Sequence, residues 1–286
     1  MVKKGIILAG GSGTRLSPLT KAVNKQLLPI YDKPLIFYPL SILMLANIRD
    51  ILIIVNPRQV ENFKNLLGDG KRYGIKIQYK IQNKPKGLPE AFVLGKNFIK
   101  KDNVALILGD NFFYGQSLTS KLEKSLIHKN GARIFLKKVN KPENYGIAKI
   151  KKNQIEKIAE KPKKFISDYA ITGLYFFDNN VCRYAKTLKV SKRGELEITD
   201  LLNIYEKNRK LSFEHIGRGA IWSDAGKIDD MTNISSFVQS VEQVQGIKIA
   251  CLEEISLFKK WITKKTIKKN IKFYGNCEYS NYLKKI

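Results

Sequence analysis

Short apolar runs alternate with amphipathic stretches through the first half of the chain. Four runs rich in Ile, Leu and Val have the length and composition of strands buried on both faces: residues 4–8, 51–55, 75–81 and 104–108. Four intervening stretches are predicted to be helices: residues 38–47, 59–67, 89–99 and 117–129. This alternation is typical of βαβ units and predicts a parallel sheet.

The pattern changes near residue 132, where strands follow one another without helices. The predicted strands are residues 133–139, 145–151, 154–160 and 170–177. Lys152-Asn153 between two of them is typical of a hairpin turn. Because no linker precedes this segment, we expect a β-rich insertion that continues the sheet. One more strand, at 211–216, accompanies the helices predicted near the end of the chain: residues 198–207, 231–245, 252–269 and 279–285.

Composition narrows the class of protein. The 286 residues are 43% hydrophobic, which supplies a sizeable core and excludes a disordered chain. No run approaches the ~18 apolar residues of a membrane span, so we expect no membrane partner. The N-terminal apolar stretch is too short for a secretory signal, and three cysteines without C-x-x-C spacing indicate neither a disulfide framework nor a zinc site. We therefore expect a cytoplasmic protein.

The net charge of +27 raises the question of nucleic-acid binding. However, only nine of the 52 basic residues are arginines, and the lysines are scattered from end to end. Proteins that recognise DNA sequence favour Arg for its bidentate hydrogen bonds. The charge therefore favours anionic small molecules, and we expect no nucleic-acid partner.

The most informative local motif follows the first strand: Leu8-Ala9-Gly10-Gly11-Ser12-Gly13-Thr14-Arg15-Leu16. Its glycines let successive backbone N–H groups approach an anion, and Arg15 adds donors for phosphate oxygens. The motif matches neither the ATPase P-loop nor the dinucleotide fingerprint. The alternative is a tight strand-to-helix turn with a surface arginine. Ten residues on, Lys25 in Lys25-Gln26-Leu27-Leu28-Pro29 could complete a triphosphate cradle; the alternative, in a chain with 43 lysines, is a solvated side chain.

Together these two motifs resemble the N-terminal signature of the sugar-1-phosphate nucleotidylyltransferases. Further motifs, in order along almost the whole chain, resemble the glucose-1-phosphate thymidylyltransferases: Leu66-Leu67-Gly68-Asp69-Gly70, Leu108-Gly109-Asp110-Asn111, Glu143-Asn144-Tyr145-Gly146, Glu160-Lys161-Pro162, Tyr169-Ala170-Ile171-Thr172-Gly173-Leu174-Tyr175 and Arg193-Gly194-Glu195-Leu196-Glu197-Ile198-Thr199-Asp200.

The resemblance implies a Rossmann-like α/β fold with a mixed, mainly parallel sheet flanked by helices. It implies one domain over residues 1–286, divided into a nucleotide-binding half (about 1–131), a β-rich sugar-phosphate-binding half (about 132–230) and a C-terminal helical part (about 231–286). The implied reaction is Mg²⁺-assisted transfer from dTTP to glucose 1-phosphate, giving dTDP-glucose and pyrophosphate for deoxysugar and cell-surface polysaccharide synthesis. A homotetramer is the implied assembly.

The resemblance also assigns residues. It implies catalytic roles for Arg15, Lys25 and Lys161. The implied nucleotide-binding residues are Leu8, Gly10, Gly11, Gly13, Thr14, Arg15, Lys25, Gln26, Gln82, Gly87 and Asp110. The implied sugar-phosphate-binding residues are Asn111, Tyr145, Gly146, Glu160, Lys161, Ile171, Thr172 and Arg193. The implied metal ligands are Asp110 and Asp224.

Asp110 also stands out from its position, because it ends an apolar strand at the sheet edge where α/β proteins bind ligands. A helix N-cap or turn residue is the alternative. Around Asp224 the chain departs from the family pattern W-x-D-T-G-T, since Ala225 and Lys227 stand where threonines are usual. Two other functions stay open: a uridylyltransferase that uses UTP, and a non-catalytic homologue that serves as a ligand sensor or assembly subunit.

Overall fold

The computed structural model describes residues 2–127 and 130–286. The last two residues of the helix predicted over 117–129 lie outside these ranges. The strands are β1 (Val2–Ala9), β2 (Pro29–Ile30), β3 (Lys33–Pro34), β4 (Asp50–Val55), β5 (Lys76–Ile81), β6 (Asn103–Leu108), β7 (Phe112–Tyr114), β8 (Ala132–Lys138), β9 (Gly146–Lys151), β10 (Gln154–Glu160), β11 (Tyr169–Phe177), β12 (Leu211–His215) and β13 (Ile221–Ser223).

Helices cover both faces of the central sheet. They are α1 (Phe37–Leu45), α2 (Val60–Leu67), α3 (Glu90–Leu94), α4 (Lys96–Ile99), α5 (Leu118–Leu126), α6 (Val181–Thr187), α7 (Ile198–Lys207), α8 (Ile228–Gln245), α9 (Leu252–Phe258), α10 (Lys264–Tyr274) and α11 (Glu278–Leu283). Within the described residues, none of these helices is both long and apolar enough to cross a bilayer.

The first four predicted strands form a parallel array in the order β6-β1-β4-β5, as the sequence pattern predicted. Alternate side chains of β1 and β4 enter different cores: Ile7 and Ile53 pack beneath α1 and α2, whereas Ile6 and Leu52 pack beneath α3 and α4. Leu8 of β1 lies opposite Leu108 of β6. The loops that follow these two strands therefore emerge side by side at one edge of the sheet.

The β-rich segment continues this sheet, as predicted. Strand β11 pairs antiparallel with β6 and carries β8 and β9, while β10 extends the sheet from β9 and β12 from β8. The hairpin predicted at Lys152-Asn153 joins β9 to β10, and both residues have positive φ angles, 48° and 58°. The α/β fold class, with its mixed sheet flanked by helices, is confirmed.

Two predicted helices are interrupted. The stretch 89–99 divides at Gly95 into α3 and α4. Gly95 lies close to the sheet, since a Cβ there would be 3.0 Å from Ile6 Cδ1. The stretch 252–269 ends as α9 at Phe258, and α10 begins at Lys264. In the gap, Trp261 packs so closely on Gly74 that a Cβ on this glycine would be 2.7 Å from Trp261 Cβ.

Two short strand pairs and one helix were not predicted. Strand β13 pairs antiparallel with β7, with Trp222 opposite Phe113, and this pairing brings the segment after β13 back to the end of β6. Strands β2 and β3 form a small hairpin. Helix α6 follows β11 directly and packs on α3 against the second face of the sheet.

Candidate active site

The glycine loop leaves β1 and lines a cavity of about 210 Å³ together with Lys25, Gln26 and Asp110. At Gly10 no larger residue fits, since a Cβ would be 2.1 Å from Gln82 Oε1. Gly13 has φ +62° and begins the short turn that carries Arg15. Gly11 is different, because nothing lies within 4 Å of its Cβ position. The loop is therefore packed on one side and open where it lines the cavity.

A second, larger cleft of about 540 Å³ adjoins this cavity. Arg15 and Gly226 line both spaces, so the two spaces share a wall. The larger cleft is also lined by Tyr145, Lys161 and Asp224. The structure thus brings Arg15, from the first loop of the chain, together with residues more than 125 positions away in sequence.

Lys25 connects the two predicted metal aspartates. Its Nζ donates to Asp110 Oδ2 at 2.7 Å and to the backbone oxygen of Asp224 at 3.4 Å, and its side chain is only 6% exposed. Burial, reinforced by the nearby Asp110 carboxylate, raises the pKa of Asp224, although Lys25 and Arg15 act in the opposite direction. Two carboxylates and two cations therefore lie close together where the two spaces adjoin.

The Asn111 side chain holds the Asp110 carboxylate in place through a hydrogen bond. Its amide Nδ2 donates to Asp110 Oδ1 at 3.0 Å, and its Oδ1 accepts from the Gly173 backbone N–H at 3.0 Å and from Trp222 Nε1 at 2.6 Å. Asn111 is 1% exposed, so its amide is already used inside the protein. Trp222 was a motif residue in the sequence but not a site prediction, and its hydrogen bond fixes the approach of β13 to this site.

Tyr145 and Lys161 lie on the β-rich side of the larger cleft. The Tyr145 ring packs on Trp222 with centroids 5.2 Å apart, and burial together with the Asp224 charge raises the pKa of Tyr145. Lys161 follows β10 with φ +40°, and its backbone N–H donates to the backbone carbonyl oxygen of Tyr145 at 3.0 Å. This turn directs the chain at Lys161 into the lining of the cleft.

Three other predicted sugar-phosphate residues, Gly146, Glu160 and Arg193, lie near one another but are not among the residues that line the larger cleft. Arg193 Nη1 is 3.3 Å from Glu160 Oε1 and 3.4 Å from Glu197 Oε2. Burial and the neighbouring Glu197 raise the pKa of Glu160. Gly146 lies beside Glu160, since a Cβ at Gly146 would be 3.3 Å from Glu160 Oε2. The Arg193 guanidinium therefore lies beside two carboxylates, those of Glu160 and Glu197.

Ile171 and Thr172 have buried side chains in β11. The Thr172 hydroxyl donates to the backbone oxygen of Phe135 at 3.0 Å. That hydroxyl is therefore bonded within the sheet. Neither Ile171 nor Thr172 is among the residues that line the larger cleft, unlike Tyr145 and Lys161.

Gln82 and Gly87 lie on the far side of the glycine loop. Gln82 is 3% exposed and its Nε2 donates to Glu90 Oε2 at 2.6 Å, so this hydrogen bond holds the amide in one orientation. Gly87 has φ +105°, and a Cβ there would be 2.0 Å from Leu196 O. Glu90 was not predicted, although an acidic residue in the first turn of a helix after a glutamine-containing loop is a usable signal.

The departure after Trp222 has a structural counterpart. Ala225 has φ +42° and is fully buried against Leu16 and Phe112, where a small side chain suits the tight turn. The Lys227 backbone N–H donates to Asp230 Oδ2 at 2.9 Å and opens α8. Asp224 is thus held at the end of a turn whose geometry is set by the first residues of a helix.

The donor set suits a hard divalent cation. The described residues hold no cluster of three or more His, Cys, Asp and Glu side chains, so a complete cage of protein ligands is absent from that part of the chain. Mg²⁺ usually takes one or two carboxylates and completes its shell with water and substrate phosphates. Asp110 lines the smaller cavity and Asp224 lines the adjoining cleft, and Lys25 contacts both residues, so this pair of carboxylates fits that requirement.

Comparison with known proteins gives consistent matches. The family model described as nucleotidyl transferase matches residues 4–241. The chain is 49% identical over 281 residues to the glucose-1-phosphate thymidylyltransferase of Neisseria meningitidis, covering 98% of each chain. It is 43% identical to the enzyme of that name from Mycobacterium tuberculosis, covering 98% of this chain and 97% of the other.

Solved structures agree with this result. A Bacillus anthracis protein assigned as a glucose-1-phosphate thymidylyltransferase, in complex with sucrose, is 38% identical with a TM-score of 0.77, covering 82% of this chain and 95% of that chain. A UDP-glucose pyrophosphorylase with UDP-glucose has a TM-score of 0.74 at 24% identity, covering 84% and 100%, which shows a shared fold. The chain therefore belongs to the nucleotidyl transferase family, among the glucose-1-phosphate thymidylyltransferases.

Proposed function

We propose that this protein catalyses nucleotidyl transfer from dTTP to α-D-glucose 1-phosphate, forming dTDP-glucose and pyrophosphate. The observation that carries the proposal is the pair of adjoining cavities with Arg15 in their shared wall and with the Lys25–Asp110–Asp224 group beside it. One cavity is lined by the glycine loop, which suits a triphosphate, and the other by Lys161, which suits a sugar phosphate. The identity to named thymidylyltransferases supports dTTP as the nucleotide.

In the reaction, a phosphate oxygen of glucose 1-phosphate forms a bond to the α-phosphorus of dTTP. The bond from the α-phosphorus to the bridging oxygen breaks, and pyrophosphate leaves with that electron pair. Such a step needs alignment of two anions and neutralisation of their charge, and no nucleophile from the protein. Arg15 and Lys25 would neutralise the triphosphate, while Lys161 would hold the attacking phosphate.

Asp110 and Asp224 would hold Mg²⁺, which when bound supplies positive charge to the phosphate oxygens. Before substrate binds, Lys25 stabilises Asp110 by a 2.7 Å ion pair. The Gly11 face of the loop offers open space at the cavity, and the buried Gln26 Oε1 in the cavity lining has no hydrogen-bond partner among the described residues. Both features suit a polar ligand in this cavity.

On the base side, Gln82 and Gly87 would face the thymine, and Glu90 would fix the orientation of the Gln82 amide. Thymine and uracil differ by one methyl group, which a pocket distinguishes by roughly 1–3 kcal/mol. A uridylyltransferase therefore stays as the second candidate, because the UDP-glucose pyrophosphorylase shares the fold.

We further propose that residues 1–286 act as one nucleotidyltransferase domain in the cytoplasm, assembled as a homotetramer as the family resemblance implies. Light scattering coupled to size-exclusion chromatography measures the assembly directly. The tetramer proposal expects a mass near four times 32.7 kDa.

The test of the reaction uses the purified chain with glucose 1-phosphate, Mg²⁺ and either dTTP or UTP. Pyrophosphate release and the mass of the nucleotide sugar are measured over time. We expect dTDP-glucose, with kcat/KM for dTTP at least several-fold above that for UTP. A preference for UTP would favour the uridylyltransferase, and absence of product with either nucleotide would favour the non-catalytic homologue.

A further inference from the structure

Four charged side chains form a closed ring away from the substrate cavities. Lys33 pairs with Asp32 and with Glu242 (Nζ–Oε1 2.8 Å), and Lys248 pairs with the same two carboxylates (Nζ–Glu242 Oε2 3.2 Å). All four side chains are at most 16% exposed, and Lys33 is 2% exposed. We call these four residues the buried charge ring.

A ring of this kind is a poor source of stability. Removing charges from water is costly, and buried ion pairs are often replaceable by apolar residues without loss of stability. What such a ring supplies is fixed geometry, because each ammonium must meet two carboxylates at once. The Ile249 backbone N–H adds a further hydrogen bond to Glu242 Oε1, at 2.8 Å. This hydrogen bond connects the segment after α8 to the buried charge ring.

Asp32 and Lys33, on one side of the ring, belong to the β2–β3 hairpin, which follows Lys25 in the chain. Lys33 pairs with Ile30 across β2 and β3. The two arms continue towards the site through hydrogen bonds from Leu35 N to Leu28 O (3.0 Å) and from Ile36 N to Gln26 O (2.8 Å). Gln26 follows Lys25 directly. The ring thus holds one end of a ladder whose other end presents Lys25 and Gln26 to the cavity.

The other side of the ring belongs to α8. This helix of 18 residues, roughly 27 Å long at 1.5 Å per residue, begins just after Asp224 and carries Glu242 in its last turn. A second contact between hairpin and helix comes from Ser235, whose Oγ accepts from the Tyr31 N–H at 3.1 Å. Lys25 and Asp224, which meet in the site, thus lie next to two elements, the hairpin and α8, that the ring joins at their far ends.

We propose that Lys33 and Glu242 are positioning residues. They hold the hairpin that follows Lys25 and the helix that follows Asp224 in the relative placement needed for transfer. This inference rests on the proposed function. Neither Lys33 nor Glu242 is among the described residues that line the two cavities. The effect of the ring therefore reaches the reaction through Lys25 and Asp224.

The test compares Lys33→Met and the double variant Lys33→Met/Glu242→Gln with the unmodified chain. The double variant leaves the Asp32–Lys248 pair complete and keeps an acceptor for the Ile249 N–H, so we expect it to fold even if the single variant does not. Tyr205→Phe is the matched control, because it removes another buried hydrogen bond, to Asp178 at 2.9 Å, on the second face of the sheet. Calorimetric dTTP binding counts competent sites in each sample.

We expect kcat per dTTP-binding site to fall roughly tenfold to a hundredfold in the ring variants, since misplacement by about 1 Å costs up to ~10²-fold. KM for both substrates should change less than threefold, and Tyr205→Phe should lower the melting temperature without lowering kcat. Ring variants that bind dTTP and turn over within twofold of the unmodified chain would overturn the inference. Failure of the unmodified chain to make dTDP-glucose would instead overturn the proposed function.

Discussion

Arg15 and Lys161 line the same cleft, yet only Arg15 also reaches the cavity of the glycine loop. Their removal should therefore affect different substrates. We expect Arg15→Ala to raise KM for dTTP and lower kcat, and Lys161→Ala chiefly to raise KM for glucose 1-phosphate. Loss of a charge-assisted hydrogen bond of ~1.5–3 kcal/mol corresponds to roughly a tenfold to hundredfold change.

Initial-rate kinetics with each substrate varied in turn checks this pair. Lys163→Ala is the control, because Lys163 is an exposed lysine two positions from Lys161. An exchange of the two effects, with Lys161→Ala acting on dTTP, would mean that the substrates occupy the cavities in the opposite order.

The dense motif spacing predicted several single site residues, and their roles stay predictions. Lys25 lies within hydrogen-bonding distance of the Asp110 carboxylate and of the Asp224 backbone oxygen. The sequence could not indicate that the Asn111 amide is occupied by Gly173 and Trp222, or that the Thr172 hydroxyl bonds to the sheet. Those partners come from distant strands whose register only the folded chain defines.

At the level of elements, the glycine loop differs in its two halves. A Cβ at Gly10 would collide with Gln82, whereas a Cβ at Gly11 would meet nothing within 4 Å and would occupy the space at the cavity. We expect Gly11→Ala to fold normally but to raise KM for dTTP about tenfold, equivalent to loss of one hydrogen bond to a charged group. Thermal melting and dTTP titration check both halves of this expectation.

Gly217→Ala provides the comparison, since its Cβ position is also free of neighbours but lies outside both cavity linings. It should leave both melting temperature and KM unchanged. Equal KM values for Gly11→Ala and the unmodified chain would exclude the loop as the triphosphate cradle.

The long buried strands and the Lys152-Asn153 hairpin could be predicted because their signals are local. The interruptions could not. The sequence from 259 to 263 carries no strong break signal, yet Lys260 takes a left-handed backbone conformation with φ +58° just after α9 ends. Strands β7 and β13 have three residues each, which is too short for a period-two pattern, and their pairing depends on tertiary contacts.

For the whole molecule, Glu253 connects the C-terminal helices to the first half. Its carboxylate accepts from Tyr279 Oη at 2.6 Å and from Asn270 Nδ2 at 3.3 Å, and Asn270 also donates to Arg72 O at 3.0 Å. Burial raises the pKa of Glu253 above its usual value, although these hydrogen bonds oppose the shift. Ionised Glu253 is therefore less stable in the folded chain than in water.

Because the folded pKa exceeds the unfolded value of about 4.3, stability from this group is complete below that pH and is lost as pH rises towards the folded pKa. Glu253→Gln does not titrate. We compare the free energy of unfolding of Glu253→Gln with that of the unmodified chain. The difference, variant minus unmodified chain, should increase by ~1.4 kcal/mol per pH unit between about pH 4.3 and the folded pKa of Glu253. Urea unfolding at several pH values measures the difference, and a difference independent of pH would contradict a raised pKa.

The proposed reaction depends on Asp110 and Asp224, which Lys25 joins, as the centre of the transfer site. Turnover of Asp110→Asn tests it most directly, because the substitution keeps the side-chain shape and removes a charge worth several kcal/mol to a bound metal. We expect at least a hundredfold loss of dTDP-glucose formation in a protein that still folds, with a lower melting temperature because the buried Lys25 ammonium loses its carboxylate partner. Activity above a tenth of the unmodified rate would contradict it.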